Sequence, residues 1–584
     1  MPRPRTPEPD QAGPEHSLEE PSTQTTEVQL PRFRGSIIPP IDSLIIKALP
    51  PILIVCVVIA VVVNPDGTAN VIDGLRTQIT AGWTWYFVAY SVLAVALCVW
   101  LTFSKLGKVR LGGPKAKPEH SAFAWYSMLF ACGQGIGLIF WSLAQPIMMK
   151  EDAAILPITG NPGEGGIVWT YFHWGFTAWA IYGGIAACLA YSHHNLGKTL
   201  TFREATVDIL PKKAQRPAGV VIEMLAIIAT VLGLATSFSF AAIQFSSGLS
   251  SLTSLESGNT VWLIVIAVFA VLAAFSAFMG VDKGMKRISE LNTILSVVLV
   301  LGVLLFGPTV YILSNLVQTS GSFISNFLSM SFFTAPELTM TPIDSWQDSW
   351  NGWWTVFIWC WVIAFSPFVA GFIARISRGR TIREFVVGVT IVPSIIVMVW
   401  VGIIASAGMF YDEKSGGAVT EAVGIDNAAG LFEMLGMIPF IGTILIIVAT
   451  VLVGTYYVTS LDSGTYALAE FVNAPKKASS AFRVVLVVSI AVVAIVLLSL
   501  GSDSVVDTVQ TGTIIGAFPF SFVVLLMIIN LFRRLRHRDR ETRLLEREVN
   551  DPEVRPEDFT VDEHGLPLPP EEIPANIPRL PEKE

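Results

Sequence analysis

The chain has 584 residues, of which 52% are hydrophobic and 14% charged. That balance excludes an ordinary soluble domain of this length and predicts an all-α polytopic membrane protein. The net charge of −8 averages an acidic side against a basic one, so it does not point to a nucleic-acid partner.

Residues 1–40 carry nine prolines and many acids and read as a disordered N-terminal tail. They lack the apolar stretch of a cleavable signal, so the first span is expected to stay in the membrane. Residues 41–532 read as one membrane domain. Spanning hydrocarbon takes about 20 apolar residues, and twelve such stretches centre near Val57, Leu93, Phe130, Ala180, Ile228, Ala267, Val300, Trp361, Val397, Val448, Val492 and Val524.

Lysine and arginine concentrate after the even-numbered spans: Lys105 to Lys117, Lys198 to Arg216, Lys283 to Arg287, Arg375 to Arg383, and Lys476 to Arg483. The other loops hold only Arg76, Lys150 and Lys414 among acids such as Asp66, Glu164, Glu337, Asp412 and Asp503. Cytoplasmic loops are the basic ones, so both termini are expected in the cytoplasm. Cys56, Cys98, Cys132, Cys188 and Cys360 all fall in spans and read as small buried hydrophobes.

The third span contains CGQGIG, with Gly133, Gly135 and Gly137 on alternate positions. Close glycines weaken a helix and are tolerated at membrane depth where unwound backbone lines a cavity, or where helices pack closely. In the fourth span, FHWGFTAWAIY places Trp174, Trp179 and Tyr182 within about 140° of one another at 100° per residue, hence on one face. His173 reads as a packing histidine. Residues 320–333 read as an amphipathic helix along the outer surface, or as a partly buried loop.

The eighth span opens with WNGWWTVFIWCW, five of the chain's sixteen tryptophans. Trp350, Trp353 and Trp354 suit an interfacial belt, whereas Trp359 and Trp361 lie deeper. Pro367 in FSPF predicts an interruption there. With the third-span glycines, that gives broken helices five spans apart, the offset of two inverted five-helix repeats, spans 3–7 and 8–12. The tenth span ends in a hydroxyl cluster, GTYYVTSLDSGT, with Asp462 expected at a helix terminus. Residues 533–584 form a C-terminal tail: a basic run, either a helix on anionic membrane lipids or a simple anchor, then an acidic proline-rich segment.

Rings walling a cavity attract a cation that cannot form hydrogen bonds, each contributing about 0.5–2 kcal/mol. With no Lys, Arg, Asp or Glu counted at membrane depth, a net-neutral zwitterion fits best, its carboxylate near free amides of the Gly133–Gly137 stretch.

These residues resemble the betaine/choline/carnitine transporter family, in the glycine betaine and compatible-solute branch. The likeness is carried by CGQGIGLIFWSLAQP, FHWGFTAWAIY, IIATVLG, WTVFIWCW, FIARISRGRTIREF and GTYYVTSLDS. It implies a LeuT-like, trimeric secondary transporter with an aromatic box on Trp174, Trp179, Tyr182 and Trp361, and sodium coupling. Where such carriers have tryptophan at both remaining pocket positions, this chain has Val362 and Phe365. The resemblance assigns one sodium to Ala131, Gln134, Tyr456, Thr459 and Ser460. It assigns a second to Thr230 and Phe368, where Leu234 replaces the expected second threonine and Thr236 and Ser237 lie nearby. The expected function is Na⁺ symport of glycine betaine, ectoine, proline or carnitine in osmoprotection, in a bacterial cytoplasmic membrane and without enzymatic activity. A sodium-independent exchanger, a proton-coupled choline or carnitine carrier and a non-transporting osmosensor remain open.

Overall fold

The computed structural model describes residues 40–133, 135–150, 162–279, 282–336, 349–473, 478–500 and 505–549. Gln134, Glu337, Asp503, residues 1–39 and residues 550–584 lie outside them, whereas the basic run of the expected C-terminal tail falls in the last helix. The described chain is helical: α1 (Pro40–Val63), α2 (Pro65–Phe103), α3 (Ala122–Gly133), α4 (Ile136–Met149), α5 (Pro162–Trp174), α6 (Phe176–Leu196), α7 (Phe202–Thr206), α8 (Lys212–Leu252), α9 (Asn259–Met279), α10 (Asp282–Phe306), α11 (Thr309–Ser331), α12 (Phe357–Arg375), α13 (Ile382–Ser415), α14 (Ala418–Ile425), α15 (Ala429–Gly436), α16 (Gly442–Asn473), α17 (Ser480–Leu500) and α18 (Val505–Val549). Among the described residues, nine helices are long and apolar enough to cross a membrane: α2, α8, α9, α10, α12 with the turn before it, α13, α16, α17 and α18.

Two expected spans are each divided into two shorter helices. The third changes course between α3 and α4, where Gly135 is fully extended (φ −149°, ψ −158°). The fourth also breaks, which the one-face expectation for its rings did not include. Gly175 (φ −92°, ψ −127°) separates α5 from α6. A Cβ there would lie 2.5 Å from the Tyr171 carbonyl oxygen, so the break needs glycine. Trp174 therefore ends one helix while Trp179 and Tyr182 belong to the next, and a single helical wheel does not relate them.

The expected break at Pro367 is absent: α12 runs through it. The Ser366 hydroxyl donates to the Ile363 carbonyl at 2.7 Å, supplying the bond that proline's missing N–H leaves open. The irregularity sits earlier, in a wide π-turn at Gly352–Val356. The tenth span is likewise uninterrupted. Asp462 lies inside α16, which continues to Asn473, rather than at a terminus. Trp350 and Trp354 are buried and pack on Trp169 and Trp141, at 4.7 and 5.7 Å between ring centroids, so they are not belt residues.

Further placements differ from expectation. Cys56 is exposed, whereas Cys98, Cys188 and Cys360 are buried. Arg76 lies within α2 rather than in a loop, and is fully buried. Glu223 is a buried acid inside α8, accepting from the Arg203 amide at 3.4 Å. That contact places it beside α7, at the lysine-rich end of α8. The surface helix α11 begins at Thr309, earlier than expected, and docks by Tyr171–Thr319 (3.1 Å) and Asn315–Ser406 (2.8 Å).

At the basic end the loops form a clasp. Leu111 N–H donates to the Arg380 carbonyl (2.9 Å), Gly379 N–H to that of Leu111 (2.8 Å), and Ile382 N–H to that of Val109 (2.8 Å). Asn195 at the end of α6 donates to the Arg110 carbonyl (3.0 Å). Trp125 of α3 donates to Ser377 (3.0 Å) beneath the Arg380 guanidinium. Gly379 has φ +81°, and a Cβ on it would meet the Lys117 carbonyl carbon at 2.1 Å. Gly379→Ala is therefore expected to cost about 1–3 kcal/mol and to lower the thermal midpoint in detergent. An unchanged melt would show that the clasp contributes nothing to stability.

Candidate functional site

The two divided spans and the eighth meet around two indoles. Trp174, the last residue of α5, and Trp361 of α12 stand edge to face, with centroids 5.3 Å apart and planes at 84°. The floor of this pair is Gly137. A Cβ there would fall 2.8 Å from Cη2 of Trp361 and 3.1 Å from Cη2 of Trp174, so only glycine admits both rings. Each indole N–H is used: Trp361 donates to Ser237 Oγ (3.0 Å) and Trp174 to Gln145 Oε1 (2.8 Å). Phe240 and Phe357 back Trp361, each at 5.4 Å.

Trp179 and Tyr182 form a second pair on α6, 5.7 Å apart. Trp179 is buried and Tyr182 half-buried. Among the described ring contacts, this pair does not touch Trp174. Val362 is buried, and Phe365 is half-buried. Phe365 packs towards α8, its ring 3.5 Å from where a Cβ on Gly233 would lie. Trp359 is buried against Phe172 and His173, each at 5.6 Å, and so belongs to the packing behind Trp174.

The oxygen-bearing residues divide into two groups. Ser460 of α16 faces the third-span break, its hydroxyl 3.9 Å from a Cβ position on Gly135. Thr459 donates to carbonyls of its own helix, Thr455 at 3.0 Å and Tyr456 at 3.2 Å, and accepts from Asn292 at 3.1 Å. A hydroxyl so engaged keeps one lone pair for a cation. Ala131 lies in the last turn of α3, on the other side of the undescribed Gln134. In the second group, the Thr230 hydroxyl turns back to the Ala226 carbonyl (2.7 Å), and Phe368 packs on Phe365 at 6.1 Å. Thr236 is turned towards α18, donating to the Val509 carbonyl (3.0 Å) and accepting from Thr513 (2.6 Å). Ser237 accepts from Trp361. Leu234 fills against Gly464, 2.7 Å from a Cβ position there. Among the described residues, no cluster of His, Cys, Asp and Glu could hold a metal.

Gln145, His173 and Thr355 were not among the expected pocket residues. Gln145 lies in the quoted third-span motif, but a lone amide in an apolar run does not announce its partner.

Long apolar helices, two spans divided around an edge-to-face tryptophan pair, and a core held by polar but uncharged groups at that point make this a multi-pass membrane solute transporter. The profile of the BCCT, betaine/carnitine/choline family transporters matches residues 45–540, and the chain belongs to that family. It is 35% identical to the glycine betaine transporter OpuD of Bacillus subtilis, over 83% of this chain and 93% of that one. It is 33% identical to the ectoine/hydroxyectoine transporter of Virgibacillus pantothenticus, over 79% and 89%. It is also 33% identical to the high-affinity choline transport protein of Escherichia coli K12, over 78% and 66%.

Proposed function

We propose that the protein imports a zwitterionic, methylated or ring-shaped compatible solute by sodium symport through a bacterial cytoplasmic membrane, as an osmoprotectant carrier. Twelve spans, with both termini cytoplasmic and two inverted five-helix repeats, are the topology we assign, and a homotrimer the assembly. The observation that carries the solute class is the Trp174–Trp361 pair, 5.3 Å apart over Gly137. Such faces hold a trimethylammonium group without a counter-charge, each worth about 0.5–2 kcal/mol. Trp179 and Tyr182 form the second wall on α6. Val362 adds no π face and Phe365 no indole donor, which favours a broad solute range including ectoine and proline over glycine betaine alone. Amides freed around Gly133, Gly135 and Gly137 suit the solute carboxylate.

Sodium is a co-substrate in this scheme, taken by carbonyls of Ala131, Gln134 and Tyr456 and by the hydroxyls of Thr459 and Ser460. One sodium is proposed, since Leu234 stands where the resemblance places the threonine that would join Thr230 and Phe368 in a second site. Solute and Na⁺ enter from outside, the outer path closes, and one helix group rocks against the other to open the inner path. One charge moving inward gains about 2.3 kcal/mol per 100 mV. With the ion gradient that supports roughly a hundredfold accumulation, at about 1.4 kcal/mol per tenfold. Anionic lipids are the proposed contact of the basic run after Leu531.

The test is uptake of radiolabelled glycine betaine into proteoliposomes, competed by carnitine, choline, ectoine and proline. Uptake is expected to rise at least tenfold with an inward Na⁺ gradient. Equal uptake without Na⁺ rules out sodium symport and leaves exchange or proton coupling; no uptake of any of these solutes removes the transport assignment.

A further inference from the structure

We propose that Gln145, His173 and Thr355 form a one-way hydrogen-bond chain that sets the ring of Trp174, making Gln145 and His173 positioning residues for solute binding. The proposal rests on Trp174 being a solute-contacting ring. Trp174 Nε1 lies 2.8 Å from Gln145 Oε1. Gln145 Nε2 lies 2.8 Å from His173 Nδ1, and His173 Nε2 lies 3.1 Å from Thr355 Oγ1. Gln145, His173 and Thr355 are at most 3% exposed, so water cannot stand in for a missing partner.

The direction of every bond follows from one fact. An indole nitrogen only donates, so it must face the amide oxygen of Gln145. The amide nitrogen is then aimed at His173 Nδ1, which must accept and therefore carries no proton. The imidazole proton sits on Nε2 and is donated to the Thr355 hydroxyl. Any other arrangement sets two donors against each other: turning the amide to satisfy a protonated Nδ1 presents NH₂ to the Trp174 N–H. The chain thus has a single consistent state, and that state fixes both the amide rotamer and the indole plane.

Its placement gives the chain its purpose. Gln145 belongs to α4, beyond the third-span break, and His173 and Trp174 are the last residues before the break at Gly175. Thr355 lies in the π-turn that opens the eighth span. The chain therefore joins α4 to the end of α5 and to the π-turn through side chains directly behind the ring pair. Trp361 has its own anchor in Ser237. A ring face attracts a cation only in the correct orientation, and a freed Trp174 can turn about both side-chain torsions.

The experiment is a double-mutant cycle on solute binding and uptake, made on monodisperse full-length protein. Gln145→Leu keeps the bulk and removes the acceptor; it is expected to raise KM about tenfold with kcat changed less than about threefold. In the Trp174→Phe background, which has no N–H to hold, Gln145→Leu is expected to change KM less than about twofold. His173→Leu should act like Gln145→Leu. His173→Asn, whose amide oxygen can take the place of Nδ1, should restore KM to within about threefold of the parent. Equal effects of Gln145→Leu with Trp and with Phe at position 174 overturn the proposal, as does a His173→Asn variant no better than His173→Leu. If Gln145→Leu yields no monodisperse protein, the His173 pair decides alone. A parent protein that binds no trimethylammonium solute defeats the reading of Trp174 itself, a distinct outcome.

Discussion

Gly137→Ala is expected to lower kcat/KM for solute uptake by at least tenfold while leaving the protein folded. The added methyl falls 2.8 Å from Trp361 and 3.1 Å from Trp174, closer than carbon atoms approach without displacement. A flexible neighbour would swing aside at little cost. Here neither ring is free to do so, because each indole N–H is tied, one to Gln145 and one to Ser237. The methyl therefore breaks one of those bonds or pushes the rings apart from 5.3 Å. Overpacking of this kind costs about 1–3 kcal/mol, and a site displaced by about 1 Å loses its function disproportionately. Gly82→Ala is the control, since nothing lies within 4 Å of a Cβ there. Radiolabelled uptake and size-exclusion profiles of both variants check the prediction. A Gly137→Ala protein with parental uptake would mean that the ring pair is not where solute binds.

The sequence made the long apolar helices legible because hydrocarbon sets their length and composition, and it flagged the third-span break because three glycines on alternate positions weaken a helix, which left an unwound stretch and close packing as the two readings. The fourth-span break was hidden. Gly175 is a single glycine in an apolar run, and only the nearby Tyr171 carbonyl reveals that no side chain fits. Pro367 misled in the opposite direction, since its local rule is sound but the Ser366 hydroxyl satisfies the carbonyl it orphans. The candidate pocket residues emerged through their motifs, yet the helical-wheel relation among them failed, because Trp174 finds its partner on α12 rather than on its own span. Side-chain anchors such as Gln145 and Ser237 stayed invisible for the same reason: their meaning lies in contacts 29 and 124 residues away.

Arg76→Ala is expected to be the most destabilising single change in the helical array outside the pocket. Charge counting alone put Arg76 in a loop. The structure carries α2 from Pro65 through it, with the guanidinium fully buried. One nitrogen donates to Thr511 Oγ1 at 2.6 Å and to the Asp507 carbonyl, and another to Gln510 Oε1 at 2.9 Å. All three acceptors belong to the first turns of α18. The same two helices meet again at Tyr86–Ser521 (2.8 Å) and through Trp83 against Phe518 at 5.0 Å. Removing the guanidinium strands the buried Gln510 amide oxygen, while the Asp507 carbonyl keeps its bond from Thr511; a buried acceptor left without its donor costs about 1–3 kcal/mol, and the packing of the long side chain is lost with it. Arg76→Lys retains the charge but cannot fork to both Thr511 and Gln510, so it should fall between alanine and the parent. Thermal midpoints in detergent, read from the surviving monodisperse fraction, are expected in the order parent, lysine, alanine. Alanine and parent melting within about one degree of each other would show that the aromatic and tyrosine contacts alone hold α2 to α18.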